Sequence, residues 1–318
     1  MGLLHASLLN TFEDVQLVAL CDKSALMTRF CRSIFPSAVE VVNDLDQFND
    51  LEIDAVYVTT PISSHAPIVK DLYAKGITRN IFTEKTLALD YGQAKEMCEL
   101  AERTGGKTMV GYMKRFSVVF GKAKELLARG NLGDSVSFSA YAYSSDFLGS
   151  TKDSRSSASR GGAMRDMGCH SVDLALWLLG DFKVVDVLSS HEVGYAETSA
   201  SFTTANSNGL EGRFDISQSM LNYRLPEFGC LIECSEGKID VNDDRLLLTL
   251  RDGSQKIWHR HDLKDNVGFW LGETEYYRED FEFVNSLLDD RKCEPNFETA
   301  SKVDHIIDQV REKIAKQE

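Results

Sequence analysis

Asp166 and His170 stand four residues apart in the segment Gly161-Gly162-Ala163-Met164-Arg165-Asp166-Met167-Gly168-Cys169-His170-Ser171-Val172-Asp173. On a helix, or on a turn entering one, both project to one face. Histidine is the side chain suited to exchange a proton near neutral pH, and a carboxylate beside it fixes its tautomer and stabilises the imidazolium. Hydride removal from an alcohol needs such a base, because the hydroxyl must lose its proton as the carbon loses hydride. The same pair also suits an N-capping aspartate and a core histidine. A second candidate is Phe82-Thr83-Glu84-Lys85-Thr86, a Glu-Lys pair just past an apolar strand. Lys85 there can donate to a substrate oxygen and stabilise developing negative charge, or it can be half of a surface charge pair.

Two further segments end strands. Val15-Gln16-Leu17-Val18-Ala19-Leu20-Cys21-Asp22 is an apolar run closed by a carboxylate, about twenty residues after Gly2. That is the spacing at which an acidic side chain meets the adenosine ribose in a dinucleotide fold. A carboxylate there accepts from both ribose hydroxyls and repels a 2′-phosphate, so NAD is expected over NADP; a helix-capping turn is the structural alternative. Val58-Thr59-Thr60-Pro61, with His65 four residues on, ends another strand. Pro61 cannot extend it, and the turn could let a flat ring lie against the backbone, or could be a plain loop. No metal site is expected: His259-Arg260-His261 lacks a Cys or carboxylate at ligand spacing, and Cys230 and Cys234 read as core thiols. The chain has no Gly-x-Ser-x-Gly motif and no Walker lysine.

These candidates sit on a regular alternation. Strands are predicted over 15–22, 38–42, 53–59, 80–83 and 108–111, with helices over 24–34, 64–75 and 91–103 between them, the last two closed by Gly76 and Gly105. The alternation specifies a parallel sheet covered by helices. The pattern then changes. Helices are expected over 118–129 and 170–179, strands over 135–143, 196–204, 210–218, 230–234, 238–241, 246–250 and 256–259, and two closing helices over 273–288 and 298–316. The turns between the strands carry hairpin signals such as Asn-Ser-Asn-Gly and Asp-Gly. The reading is an α/β Rossmann-like domain, 1–112, followed by an α+β domain, 113–318, with an open and mostly antiparallel sheet. Residues 144–162 form a long Ser/Gly-rich loop; it and Tyr143, Arg155, Arg160, Trp270 and Tyr277 are the candidates for specificity.

Composition excludes several classes. Among 318 residues the net charge is −14, which repels a phosphate backbone and argues against nucleic acid. No apolar run approaches the ~20 residues of a membrane span, and no signal peptide precedes the first helix. The seven cysteines are scattered and odd in number, as expected of free thiols in a reducing cytoplasm.

Taken in order, the motifs resemble those of the Gfo/Idh/MocA family, the glucose–fructose oxidoreductase and inositol dehydrogenase group, along essentially the whole chain. Gly2 and His5 fit the end of its glycine turn, Asp22 its acidic strand end, and Thr60, Pro61 and His65 its Thr-Pro…His segment. Glu84 and Lys85 fit its Glu-Lys-Pro signature, and Arg115-Phe116 the pair after the last Rossmann strand. Gly130-Asn131-Leu132-Gly133 matches the turn that follows. Gly161, Gly162, Asp166, Gly168, His170 and Asp173 fit its Gly-Gly…Asp-x-Gly-x-His-x-x-Asp signature. The resemblance implies hydride transfer between NAD and a sugar or cyclitol, with Lys85 polarising the reacting oxygen, His170 exchanging the proton and Asp166 supporting them. It implies cofactor contacts from Gly2, His5, Asp22, Thr59, Thr60, Pro61, His65, Glu84, Lys85 and Arg115, and a homodimer or homotetramer formed through the second domain's sheet.

There are two departures from the pattern. Thr86 stands where the family has proline. The first strand and first two glycines of the nucleotide fold are absent, as in a reading frame that lacks about 30 residues or fewer, so the strands on either side are expected to lose a shared neighbour. Two alternatives to an oxidoreductase therefore stay open: a non-catalytic dinucleotide- or sugar-binding regulator of the same fold, and an inactive fragment.

Overall fold

The computed structural model describes residues 1–48, 51–146, 161–193, 196–269 and 271–317. Arg155, Arg160 and Trp270, and most of the 144–162 loop, lie outside them.

The first part runs α1 (Gly2–Leu9), β1 (Ala19–Cys21), α2 (Ala25–Ile34), β2 (Glu40–Val42), β3 (Ala55–Val58), α3 (His65–Lys75), β4 (Asn80–Glu84), α4 (Tyr91–Thr104) and β5 (Thr108–Gly111). The helices begin and end where local chemistry dictates. Asp90 accepts from Gln93 N at 2.8 Å to cap α4. Gly76 and Gly105 take the left-handed conformation that ends α3 and α4. All strand pairs here are parallel, in two groups: β1 with β2, and β3, β4, β5 in that order. As expected, no strand among the described residues pairs with both β1 and β3. The predicted 15–22 strand shrinks to Ala19–Cys21, because its one partner, β2, supplies only three residues, Glu40 to Val42.

The second part comprises α5 (Val118–Ala128), β6 (Ser135–Tyr143), α6 (Cys169–Leu179), β7 (Lys183–Val193), β8 (Ala196–Ala205), β9 (Glu211–Ser217), β10 (Glu227–Cys234), β11 (Gly237–Asn242), β12 (Arg245–Leu250), β13 (Gln255–His259), α7 (Glu275–Leu288) and α8 (Phe297–Ile314). The seven strands from β7 to β13 and β6 make one open sheet in the order β13-β12-β11-β10-β6-β9-β8-β7, antiparallel except for β6 beside β9. The period-two pattern buries Phe138, Ala140 and Ala142 of β6 with Phe202, Phe214 and Ile216 of the neighbouring strands. Against this face lie Val172 and Ala175 of α6 and Val303, Ile307 and Val310 of α8. Each such large apolar side chain contributes about 1.5–3 kcal/mol by burial. The chain's end returns to the first part. Phe283 of α7 packs on Phe82 and Met109 of β4 and β5, and α8 lies against α4 and β7.

Arg165 joins the two parts. Its side chain is fully buried, donating to Ala88 O at 2.7 Å, Asp304 at 2.6 Å and Asp308 at 2.9 Å. It thereby ties the loop after β4 to α8.

Candidate active site

Lys85 follows the last residue of β4 and meets Asp166 from 81 residues away. The ammonium donates to the Asp166 carbonyl and lies 3.5 Å from its Oδ1. Asp166 occupies a single π-helical turn, Met164–Gly168, that runs into α6; such turns recur at functional sites. His170 is in the first turn of α6, so one continuous segment carries both residues. The other carboxylate oxygen of Asp166 accepts from Gln218 Nε2 at 2.9 Å.

The electrostatics of the three differ. Burial works against the positive charge of Lys85, but Cys169, Asp166 and Glu84 around it outweigh that cost and raise its pKa. His170 is 5% exposed, its Nδ1 has no hydrogen-bond partner, and its ring packs on Phe228 at 5.2 Å. Burial first, then the charges of Lys85 and Lys114, push its pKa well below the ordinary value. The imidazole is therefore neutral at neutral pH and ready to accept a proton. Lys114 is itself held by Asp243 at 2.7 Å and lies over the Phe228 ring.

Gln218, Lys114 and Asp243 escaped sequence reasoning. Gln218 read as the polar end of a strand, and Asp243 as part of a hairpin turn. Only the buried position of Gln218, at 0% exposure, distinguishes it from a surface residue.

The strand ends place the other expected residues in two classes. Gly2, Asp22, Thr59, Thr60 and Pro61 lie at or beside the carboxyl edge. A Cβ added to Gly2 would lie 2.8 Å from Thr59 Oγ1, so the helix approaches the strand end as only glycine allows. Asp22 is exposed, with one oxygen accepting from Ser24 N at 2.7 Å; the helix cap itself is Ser24, whose hydroxyl accepts from Met27 N.

His5, His65, Glu84 and Arg115 are buried, and each has side-chain polar atoms paired inside the protein. His65 is fully buried between Thr60 O at 2.8 Å and Thr86 O at 3.0 Å, joining the loops after β3 and β4. Burial lowers its pKa although both carbonyls favour the charged form. Arg115 makes a two-pronged ion pair with Asp173, at 2.8 and 2.6 Å. Glu84 accepts from Lys85 N at 3.0 Å and lies 3.0 Å from His5 Nε2. His5 Nδ1 is 2.8 Å from Asp280. Burial opposes a charge on His5, and Asp280 and Glu84 outweigh it, raising the imidazole to about 9. Of the remaining specificity candidates, Tyr143 donates to Asp215 at 2.9 Å and Tyr277 packs on Phe12 and Phe269.

Comparisons with known proteins agree with this architecture. The family model described as "Oxidoreductase family, NAD-binding Rossmann fold" matches residues 1–112, and that of the GFO/IDH/MocA C-terminal domain matches 120–240. Inositol 2-dehydrogenase of Rhizobium meliloti is 27% identical over 183 residues, 57% of this chain and 52% of that protein. The scyllo-inositol 2-dehydrogenase (NAD(+)) of Bacillus subtilis is 30% identical over 136 residues, 41% of this chain and 36% of that one. The chain thus spans about half, or less, of the length of these relatives. Among solved structures, levoglucosan dehydrogenase in complex with NADH and levoglucosan superposes with a TM-score of 0.85 at 19% identity, covering 100% of this chain and 94% of that one. An NAD binding oxidoreductase from Klebsiella pneumoniae gives 0.79 at 20% identity, covering 99% and 92%. With one family's two domain models matched in succession over most of its length, the chain belongs to the Gfo/Idh/MocA oxidoreductases.

Proposed function

We propose that this chain is an NAD-dependent dehydrogenase that exchanges hydride with a hydroxyl or carbonyl carbon of a sugar, cyclitol or related polyol. The observation that carries the reading is the pairing of Lys85 with Asp166 at the carboxyl edge of a parallel sheet, with a neutral His170 near enough to be affected by the Lys85 charge. The names of the relatives, inositol and levoglucosan dehydrogenases, support the substrate class.

Gly2, Thr59, Thr60 and Pro61 would hold the dinucleotide along the strand ends. The close approach of Gly2 to Thr59 fits that role, and Asp22 would take the ribose and disfavour a 2′-phosphate. The nicotinamide supplies the hydride acceptor when bound. Lys85 Nζ donates to the substrate oxygen and stabilises negative charge on it. The unprotonated ring nitrogen of His170 takes the hydroxyl proton. Asp166 aligns the Lys85 ammonium and is itself oriented by Gln218. His65, Glu84 and Arg115 act from behind, fixing the loops that carry these groups.

Residues 1–112 serve the nucleotide, and 113–318 serve substrate and assembly through the open sheet, as a homodimer or homotetramer. All seven cysteines are unbridged, and no described helix is long and apolar enough to cross a membrane; both features suit a cytoplasmic enzyme.

The test is a polyol screen with NAD, including levoglucosan and the inositols, read at the nicotinamide absorbance. His170→Ala should lower kcat by roughly 10²–10⁴-fold with unchanged circular dichroism. Full activity in that variant overturns the role of His170. Turnover with any polyol rules out a purely regulatory binding protein.

A further inference from the structure

A second cluster of ligating groups lies behind Glu84, the residue before Lys85. His5 of α1 and Glu279 and Asp280 of α7 bring one ligand atom each within 4.8 Å of one another. All three residues are at most 1% exposed. Both oxygens of Glu279 and Oδ2 of Asp280 have no hydrogen-bond partner. Buried carboxylate oxygens without donors are costly, and two neighbouring carboxylates repel unless a positive charge stands between them. The His5 ring offers its two nitrogens to Asp280 Oδ1 and Glu84 Oε1, so the Glu279 oxygens and Asp280 Oδ2 gain no donor from it, and the rings of Tyr57 at 5.7 Å, Phe82 at 5.2 Å and Tyr276 at 6.1 Å pack around it.

We infer that His5, Glu279 and Asp280 bind a divalent first-row metal ion of the zinc or manganese class, which fastens α1 to α7. Three features converge on this. Ligand atoms about 2.0–2.2 Å from a common ion lie at most roughly 4.4 Å apart, so the observed spread closes with a small side-chain movement. Nδ1 of His5 is on the ligand side, 2.8 Å from Asp280 Oδ1, while Nε2 is 3.0 Å from Glu84 Oε1. An imidazole that ligates through one nitrogen and donates through the other to a carboxylate is the usual outer arrangement of a metal-bound histidine. The donor set, one imidazole nitrogen and carboxylate oxygens without thiolate, suits zinc or manganese and not a soft cation. The burial of the ligands makes the role structural. His5 is 275 residues from Asp280, so no spacing in the sequence announces the site.

Metal content tests the inference without reference to activity. The full chain is refolded with Zn²⁺ or Mn²⁺, passed through a desalting column in EDTA, and measured by mass spectrometry of the metal. The surface rings of His259 and His261 stack 5.4 Å apart and could hold zinc adventitiously, so His261→Ala is the background. One equivalent retained by the wild type and by His261→Ala, and lost in Glu279→Gln and Asp280→Asn, is the expected result. Glu84→Gln should bind roughly 10–100-fold more weakly. Well under one equivalent with both metals, or equal retention in Glu279→Gln, overturns the inference; the cavity then holds protons on its carboxyl groups. Should the α7 variants fail to fold, Co²⁺ in the wild type decides. Visible bands of nitrogen and oxygen ligation are expected, and their absence, or thiolate charge-transfer bands from the cysteines, overturns it.

Discussion

His170 illustrates how one residue's chemistry depends on its neighbours. Burial, Lys85 and Lys114 all disfavour its charged form, so the imidazole proposed as the base is unprotonated through the neutral range. With saturating NAD, kcat/KM should be flat through neutrality, with its acid limb well below pH 6.5; an acid limb at or above 6.5 would assign the base elsewhere. Lys114→Met removes one of the two positive neighbours and should move that limb to higher pH. The linkage has a matching sign. A depressed histidine pKa adds stability that is complete above the unfolded value near 6.5 and is lost as pH falls. Lys85→Met, which removes the proposed donor to the substrate oxygen, should cost about 10²–10³-fold in kcat while calorimetry shows NAD binding retained. The types of Lys85, Asp166 and His170 were legible in the sequence because chemistry requires them. Their protonation was not, because it is set by Lys114, Phe228 and the depth of burial.

At the scale of elements, the site depends on ties between loops and helices. Arg165 lies in the π-helical turn that carries Asp166, and it holds α8 and the loop after Lys85 at once. Arg165→Met strands the buried Asp304 carboxylate without its partner and should lower unfolding stability by about 3–5 kcal/mol, measured by urea denaturation. Asn296 caps α8 by accepting from Thr299 N at 2.9 Å; Asn296→Ala should cost only about 1 kcal/mol. The contrast separates a tertiary tie from a local one. Helix ends such as Gly76 and Gly105 were readable because a cap is a local event. The length of β1 was not, because a strand extends only as far as its partner pairs with it.

The whole molecule places its first and last segments together, with α1 against α7 and β4, and α8 against α4 and the open sheet. That closure predicts a single cooperative thermal transition by calorimetry; a broad, multi-step melt would mark the chain as an incomplete folding unit. The open sheet leaves Val136, Val185, Leu188 and Ile257 exposed. If assembly uses this surface, Val185→Lys with Leu188→Lys should shift the light-scattering mass to that of a monomer. The sequence by itself determined the fold class and the alternation that builds each sheet, and it named the candidates Lys85, Asp166 and His170, since periodicity, caps and reactive residue types are properties of short stretches. The tertiary structure alone decided that His5, His65, Glu84 and Arg115 pair inside the protein, that Gln218 meets Asp166, and that Lys114 meets Asp243. It alone joined His5 to Glu279 and Asp280. Those outcomes depend on burial and on contacts between residues far apart in the chain, and only the folded packing brings such groups within hydrogen-bonding or ligating distance.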